Sequence, residues 1–289
     1  MKLKVFRKGF NYSQDGPGNR LVYHLQGCNM HCGWCSNPEG IAMDGNLMLN
    51  RDILIDKVCP HGAIVCKEIY RERCAKCVAR ECINLNRNQG IRFSSEACDV
   101  DAIVREAKRS IPLFYEGGGV TLSGGESTVQ FEAVRLLLRR LRDENIHTAI
   151  ETNGSHPRLR ELFPLIDYLI MDFKHHDDLK LKESTGVGNL VIKRNVARAF
   201  ATHKELLIRI PLIAHFNDSE TDAENFASFF RKFDTGHAHF EFIAYHEYGK
   251  DKWAQCDMPY RIEDGFVSKE TLAFFHAVFR SSHLNVIHT

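Results

Sequence analysis

From Val100 onward the chain alternates between strand-like and helix-like segments, and few folds accommodate that rhythm. The apolar runs at 120–123, 147–151, 168–171, 206–210 and 239–243 have the length and composition of strands, and 20–26 supplies another near the N-terminus. Helical spacing recurs between them. Val134, Leu137, Leu138 and Leu141 fall on one face of a helix over 131–144, and helical patterns also cover 100–109, 189–202, 222–233 and 269–280. Repeated βα units imply a parallel sheet covered by helices, and about six of them suit a partly closed barrel rather than a complete eight-fold one. The expected fold is α/β, a partial (β/α)6 TIM-like barrel. Chemistry in such folds sits at the C-terminal ends of the strands, and the motifs below fall at such ends.

A stretch without clear period, from about residue 43 to 95, interrupts this rhythm. It is rich in Cys, Arg, Asn and Lys and holds five of the ten cysteines. We assign 46–95 to a small cysteine-rich insert and 1–45 with 96–289 to the barrel. A chain of 289 residues, 44% hydrophobic and 26% charged, suits one large domain carrying such an insert. The formal net charge of +1 provides no broad field for nucleic acid or a membrane surface. No apolar run is long enough to span a bilayer, and the segment Met1–Phe6 lacks an apolar signal core. The cysteines are therefore expected in a reducing cytoplasm, where thiols bind metal or do chemistry instead of pairing. Monomer is the default state.

Nine cysteines lie between Cys28 and Cys98, with only Cys256 beyond. The sequence Gly27-Cys28-Asn29-Met30-His31-Cys32-Gly33-Trp34-Cys35 spaces three thiols by three and then two residues. Three thiolates so placed can wrap one [4Fe-4S] cubane and leave its fourth iron open to an amino-carboxylate ligand. The competing reading is a zinc site, for which His31 offers a fourth ligand.

The triad, with an aromatic before its third Cys, resembles the radical SAM superfamily. Upstream, Asp15-Gly16-Pro17-Gly18-Asn19-Arg20 is similar to the Asp-Gly-Pro-Gly-x-Arg signature of glycyl-radical enzyme activases, such as pyruvate formate-lyase activating enzyme. Two glycines around a proline make a rigid turn whose backbone a partner can approach. Gly117–Glu126 resembles that family's glycine-rich strand ending in Ser-Gly-Gly-Glu. Glu151-Thr152-Asn153-Gly154 resembles Asp-Thr-Asn-Gly, Ile170–Lys174 resembles Met-Leu-Asp-Leu-Lys, and Tyr245–Lys250 resembles Tyr-His-Glu-Leu-Gly-Lys. The resemblance covers nearly the whole chain outside the insert. It departs at Glu151, one methylene longer than the family's Asp, at Asn19 in place of an apolar residue, and at Ser127 in place of Pro or Ala.

The resemblance implies an oxidoreductase of anaerobic metabolism. A cluster on Cys28, Cys32 and Cys35 would cleave S-adenosylmethionine (SAM) reductively, and the 5′-deoxyadenosyl radical would take a hydrogen atom from a backbone glycine of a glycyl-radical enzyme. It places SAM against Trp34, Gly124, Gly125, Glu126, Glu151, Asp172, Lys174, Arg209 and His246, with Glu126 on the SAM ammonium. It places the partner's glycine loop against Asp15, Gly16, Pro17 and Gly18. It also allows a monovalent cation near Glu151, Thr152 and Asp172, and flavodoxin or ferredoxin as electron donor.

Within the insert, Cys59-Pro60-His61-Gly62-Ala63-Ile64 and Cys74-Ala75-Lys76-Cys77 resemble bacterial ferredoxin pieces. Two clusters would need eight thiolates; the insert has five, or six with Cys98. One auxiliary [4Fe-4S] cluster is expected, on Cys74, Cys77 and Cys82 with either Cys59 or Cys66. A zinc ribbon is the alternative there. For the whole chain, the alternative is a radical SAM enzyme acting on a small molecule, resembling the 7-carboxy-7-deazaguanine synthases, since one barrel hosts many substrates. A non-catalytic iron–sulfur or zinc protein would leave the SAM-contacting segments unexplained.

Overall fold

The computed structural model describes residues 1–10, 14–54, 59–75, 77, 79–85 and 90–288; residues 55–58, 76, 78 and 86–89 of the cysteine-rich stretch lie outside them. Strands β1 (Lys2–Gly9) and β2 (Arg20–Leu25) lead into the cysteine loop. The cysteine-rich stretch contributes β3 (Leu47–Leu49), β4 (Ile64–Val65), β5 (Glu68–Ile69), the short helices α1 (Arg71–Ala75) and α2 (Glu81–Leu85), and β6 (Ile91–Phe93). There follow β7 (Glu96–Asp99), α3 (Val100–Ser110), β8 (Gly119–Gly124), α4 (Phe131–Asp143), β9 (Thr148–Thr152) and β10 (Tyr168–Asp172). The chain ends with α5 (Asp178–Thr185), α6 (Leu190–Thr202), β11 (Leu206–Leu212), α7 (Glu220–Phe230), β12 (Ala238–Ala244), α8 (Lys250–Gln255) and α9 (Lys269–Ser281).

Eight strands form one sheet in the order β12-β11-β10-β9-β8-β2-β1-β7. The six from β2 to β12 are parallel throughout, as the alternating pattern requires. Strands β1 and β7 extend the sheet antiparallel, through pairs such as Val5 with Leu25 and Leu3 with Cys98. Neither was anticipated. The alternation of β1 shows in Lys2-Leu3-Lys4-Val5, with Leu3 and Val5 buried, but β7 is four mostly exposed residues with no pattern to read. Helix α5 was also missed, because only Leu181 and Thr185 are buried along its polar length.

The far edge of the sheet is closed by the C-terminal segment. The Phe240 amide donates to the Asn285 carbonyl and the Ile287 amide to the Phe240 carbonyl, both at 2.9 Å, so β12 offers no free edge there. Beneath it, Phe230 touches Phe240, Phe173 and Phe229 at centroid separations of 4.9, 5.2 and 5.2 Å. These rings seal helix α7 to the sheet, and Phe279 of α9 joins them 5.5 Å from Phe240. The cysteine-rich stretch has a small core of its own, from Leu47, Leu49, Leu54, Ile64, Ile69, Cys82 and Ile91. It is pinned to the end of α8 by Arg51, which donates to the Ala254 carbonyl (2.9 Å), and Arg71, which donates to that of Cys256 (2.6 Å). The other face of α8 meets the cysteine loop, where the Trp253 indole donates to the Cys35 carbonyl (2.9 Å). Among the described residues, no helix is long and apolar enough to cross a membrane.

Phe230 is fully buried, so Phe230→Ala leaves a cavity that the surrounding rings cannot fill. Denaturant unfolding should show a loss of about 3–5 kcal/mol.

Candidate active site

A cleft of about 700 Å³ opens at the C-terminal ends of the parallel strands. Cys28, Cys32 and Cys35 line one wall with Trp34, whose indole packs on Phe216 at 4.7 Å. The cysteine loop is pressed against the end of β8. A β-carbon on Gly125 would sit 2.3 Å from the Gly27 carbonyl oxygen and 2.7 Å from that of Gly40. The Glu126 amide donates to the same Gly27 carbonyl at 2.7 Å. Gly125 thus admits the loop's own backbone and Gly124 that of β2 at Leu25, a use the sequence did not reveal, and both also line the cleft. Backbone amides point at two of the sulfurs, Met30 N–H at Cys28 Sγ and Asn37 N–H at Cys35 Sγ, each at 3.4 Å. Burial pushes the Cys28 and Cys32 thiols up to about 12 and raises Cys35, so these sulfurs stay protonated until a metal displaces the proton.

Lys174 faces this wall and pairs with Asp172 at 2.5 Å. Burial opposes its charge, but the paired Asp172 carboxylate outweighs that and holds the ammonium protonated. His246 lies on the rim, stacked on Tyr248 at 4.3 Å.

Glu126 stands apart. It is buried outside the cleft lining, and its carboxylate accepts from Thr128 N (3.0 Å), Thr128 Oγ1 (2.5 Å), Thr152 Oγ1 (2.7 Å) and Asn153 N (2.7 Å). It ties the ends of β8 and β9 together, and the contact with SAM ammonium expected of it finds no support in this geometry.

The extra methylene of Glu151 carries its carboxylate to Arg209 Nη1 (2.8 Å) and Ser123 Oγ (2.5 Å). Arg209 is 2% exposed; its Nε donates to Glu241 (2.9 Å) and its Nη2 to the Gln14 carbonyl. Burial works against both partners. The arginine nevertheless holds Glu151 below its ordinary value, and Glu151 and Glu241 raise Arg209. Arg209 lines the cleft, yet each of its three nitrogens already donates to a protein acceptor. Thr152 is likewise engaged by Glu126 and Asp172 by Lys174, so all three residues considered for a monovalent cation hold protein partners.

Of the signature turn, Asp15 reaches the cleft; Gly16, Pro17 and Gly18 lie outside its lining. Burial and the nearby Glu151 raise the Asp15 carboxyl to about 7, against the opposing pull of Arg209. Ser123 and Glu241 were not singled out from sequence. The signal for Glu241 was present, since a carboxylate inside the apolar run His239–Ile243 needs a buried partner.

In the cysteine-rich stretch, Cys59, Cys74, Cys77 and Cys82 line a second cavity of about 230 Å³ together with Arg71 and Arg80. Cys66 is exposed in the β4–β5 turn, and Cys98 sits on β7 beside Leu3. A further group, His175, His176 and Asp222, has ligand-type atoms within 4.8 Å of one another. Its chemistry argues against a metal. His175 Nδ1 accepts the Asp177 amide (2.9 Å), which leaves the proton on Nε2, facing the Phe216 carbonyl at 3.1 Å. That ring has no lone pair to offer, and its role is to fix Phe216 beneath Trp34.

The model of the radical SAM superfamily matches residues 22–227. The 4-hydroxyphenylacetate decarboxylase activating enzyme of Clostridioides difficile is 31% identical over 283 residues, covering 92% of this chain and 89% of that protein. The isethionate sulfite-lyase activating enzyme of Desulfovibrio desulfuricans is 34% identical, covering 83% of this chain and 81% of that protein. A solved domain of a pyruvate-formate lyase-activating enzyme from Bacteroides vulgatus superposes with a TM-score of 0.50 at 23% identity, covering 59% of this chain and 98% of that one; it establishes the fold alone.

Asp15 supplies a pH test. Its raised value means that, from the ordinary carboxylate range up to about 7, the folded chain keeps a proton that the unfolded chain has released. Its contribution to stability therefore falls as pH rises through that window. Asp15→Asn should unfold at a higher temperature than the wild type near pH ~8, with the gap closing toward pH ~4 in thermal melts followed by circular dichroism.

Proposed function

The chain belongs to the radical SAM superfamily, and from that premise we propose that it activates a glycyl-radical enzyme. The observation that carries the reading is the shared cleft: Asp15 of the signature turn opens into the same space as Cys28, Cys32 and Cys35. A radical generated on that cysteine wall meets whatever main chain approaches Asp15.

The donor set fits a cubane better than a single ion. Cys28, Cys32 and Cys35 line the cleft and His31 does not, so the loop offers three thiols and no fourth ligand, the donor count of a cubane with one open iron rather than of a closed tetrahedral zinc site. Cys28, Cys32 and Cys35 would hold the [4Fe-4S] cluster, with SAM against Trp34, Gly124, Gly125 and His246 and its carboxylate near Lys174. Once loaded, this pair supplies the one-electron cleavage of SAM to methionine and a 5′-deoxyadenosyl radical. The chain's own residues bind, orient and exclude water: Lys174 holds positive charge beside the cysteines, and Arg209 fixes Glu151. These two cations already bring to Asp172 and Glu151 the charge that a monovalent ion would supply, so the proposed site works without one.

The second cavity supports an auxiliary [4Fe-4S] cluster on Cys59, Cys74, Cys77 and Cys82, with Cys66 left out. The electron donor is a flavodoxin or ferredoxin, and the enzyme works as a monomer in a reducing cytoplasm.

Reduced, reconstituted protein should release 5′-deoxyadenosine from SAM, and Cys28→Ala should abolish this. With a panel that includes 4-hydroxyphenylacetate decarboxylase and isethionate sulfite-lyase, electron paramagnetic resonance should show a glycyl doublet. Cleavage of SAM without a doublet on any candidate partner would turn the reading toward a small-molecule substrate. Iron analysis should give about eight iron per wild-type chain, about four for Cys74→Ser/Cys77→Ser, and about eight for Cys66→Ser. About four in the wild type would remove the auxiliary cluster.

A further inference from the structure

Asp15 reaches the cleft because the rest of its turn is tied down from below. Arg20 is 1% exposed at the start of β2. Its Nε donates to Thr121 Oγ1 (2.7 Å) and its Nη1 to the carbonyls of Pro17 and Gly117 (3.1 Å each). Its Nη2 donates to the carbonyls of Val120 (3.0 Å) and His147 (3.4 Å). Thr121 passes the connection on, since its hydroxyl donates to the Asp15 carbonyl at 2.7 Å. The turn is also closed on its other side. Gly18 has φ of +66°, and a β-carbon there would lie 2.2 Å from the Tyr115 carbonyl oxygen.

Among the described residues, no carboxylate lies within ion-pair distance of the Arg20 guanidinium. A buried charge normally needs such a partner, and here burial lowers the arginine to about 10. A neutral side chain would close this space at less cost in desolvation. What the guanidinium adds is a planar fork of donors, able to gather main-chain carbonyls from the turn, from the segment before β8 and from that before β9 at once.

The geometry points to Arg20 and Thr121 as positioning residues that hold Asp15 at the cleft floor, its carboxyl beside Ser123 and Glu151, ready for the backbone of an incoming glycine loop. This rests on the activase reading for the identity of what approaches, and on the chain alone for the clamp. Neither residue touches the reacting atoms; both act through Asp15.

Thr121→Val keeps the shape and removes the hydroxyl, whereas Arg20→Lys keeps the charge and loses the fork. Three measurements on cluster-loaded enzyme with SAM decide the matter. Amide hydrogen exchange at Asn19, whose N–H closes the turn on the Tyr115 carbonyl (3.2 Å), should be slow in the wild type and about five- to tenfold faster in Thr121→Val, the effect of losing about 1 kcal/mol of hydrogen bonding. In pH-difference infrared spectra, with Asp15→Asn to assign the band, the Asp15 carboxyl should titrate above the ordinary carboxylate range in the wild type, where burial and Glu151 hold it, and fall toward that range in Thr121→Val. With an accepting partner, 5′-deoxyadenosine formed per glycyl radical should rise in the variant. Wild-type exchange as fast as an open loop overturns the clamp, and so does an unmoved titration in a variant that is merely less stable. Faster exchange with an unchanged product ratio overturns the positioning role. Should Arg20→Lys fail to fold, Thr121→Val alone decides. Should the wild type give no glycyl radical with any partner, the activase reading fails, while exchange and titration still decide the clamp.

Discussion

The cysteine loop is held against the end of β8 by a backbone contact that only glycine permits. Gly125 leaves no room for a β-carbon between its Cα and the carbonyls of Gly27 and Gly40. The Glu126 amide then bonds the Gly27 carbonyl, while the Glu126 side chain ties β8 to Thr152 and Asn153 after β9. One close approach therefore sets the height of Cys28, Cys32 and Cys35 over the strand ends. Any larger residue at 125 would lift the sulfurs away from Lys174 and from the cleft floor.

The cleft is built as two layers of charge. Near the sulfurs, Lys174 and Asp172 form one pair; deeper, Arg209 joins Glu151 and Glu241, with Asp15 beside them. Each cation lies against a carboxylate that sustains its charge. The deeper layer also reaches the turn through the Gln14 carbonyl. The two groups are joined through the main chain, since Asp172 on β10 lies opposite Arg209 on β11 and the Phe173 amide donates to the Arg209 carbonyl at 2.7 Å.

Much of this was legible in the sequence. The alternation after residue 100 specified five parallel strands, and the run at 20–26 supplied the sixth, because apolar runs of strand length separated by helical faces have few other solutions. The cysteine spacings and the Asp-Gly-Pro-Gly turn marked the site. The illegible parts have physical causes. Strand β7 and helix α5 bury too few side chains to leave a pattern. The orientation of Glu126 depends on Thr128 and Thr152, whose hydroxyls carry no sequence signature of their direction. Which of Cys59 and Cys66 lies with Cys74 and Cys82 depends on a turn: Cys66 sits at φ of +49° between two-residue strands and faces solvent, while Cys59 lines the same cavity as Cys74 and Cys82. Arg20 looked like the end of a motif, and only the fold reveals how many carbonyls converge on it.

In the proposed function, a radical formed over Cys28, Cys32 and Cys35 is aimed at a glycine backbone presented above Asp15. The most direct measurement uses a partner enzyme in which only the glycine α-hydrogens are replaced by deuterium. Mass spectrometry of the 5′-deoxyadenosine released during activation should show one deuterium gained per glycyl radical formed. Cleavage of SAM at an undiminished rate with no deuterium in the 5′-deoxyadenosine would contradict the account.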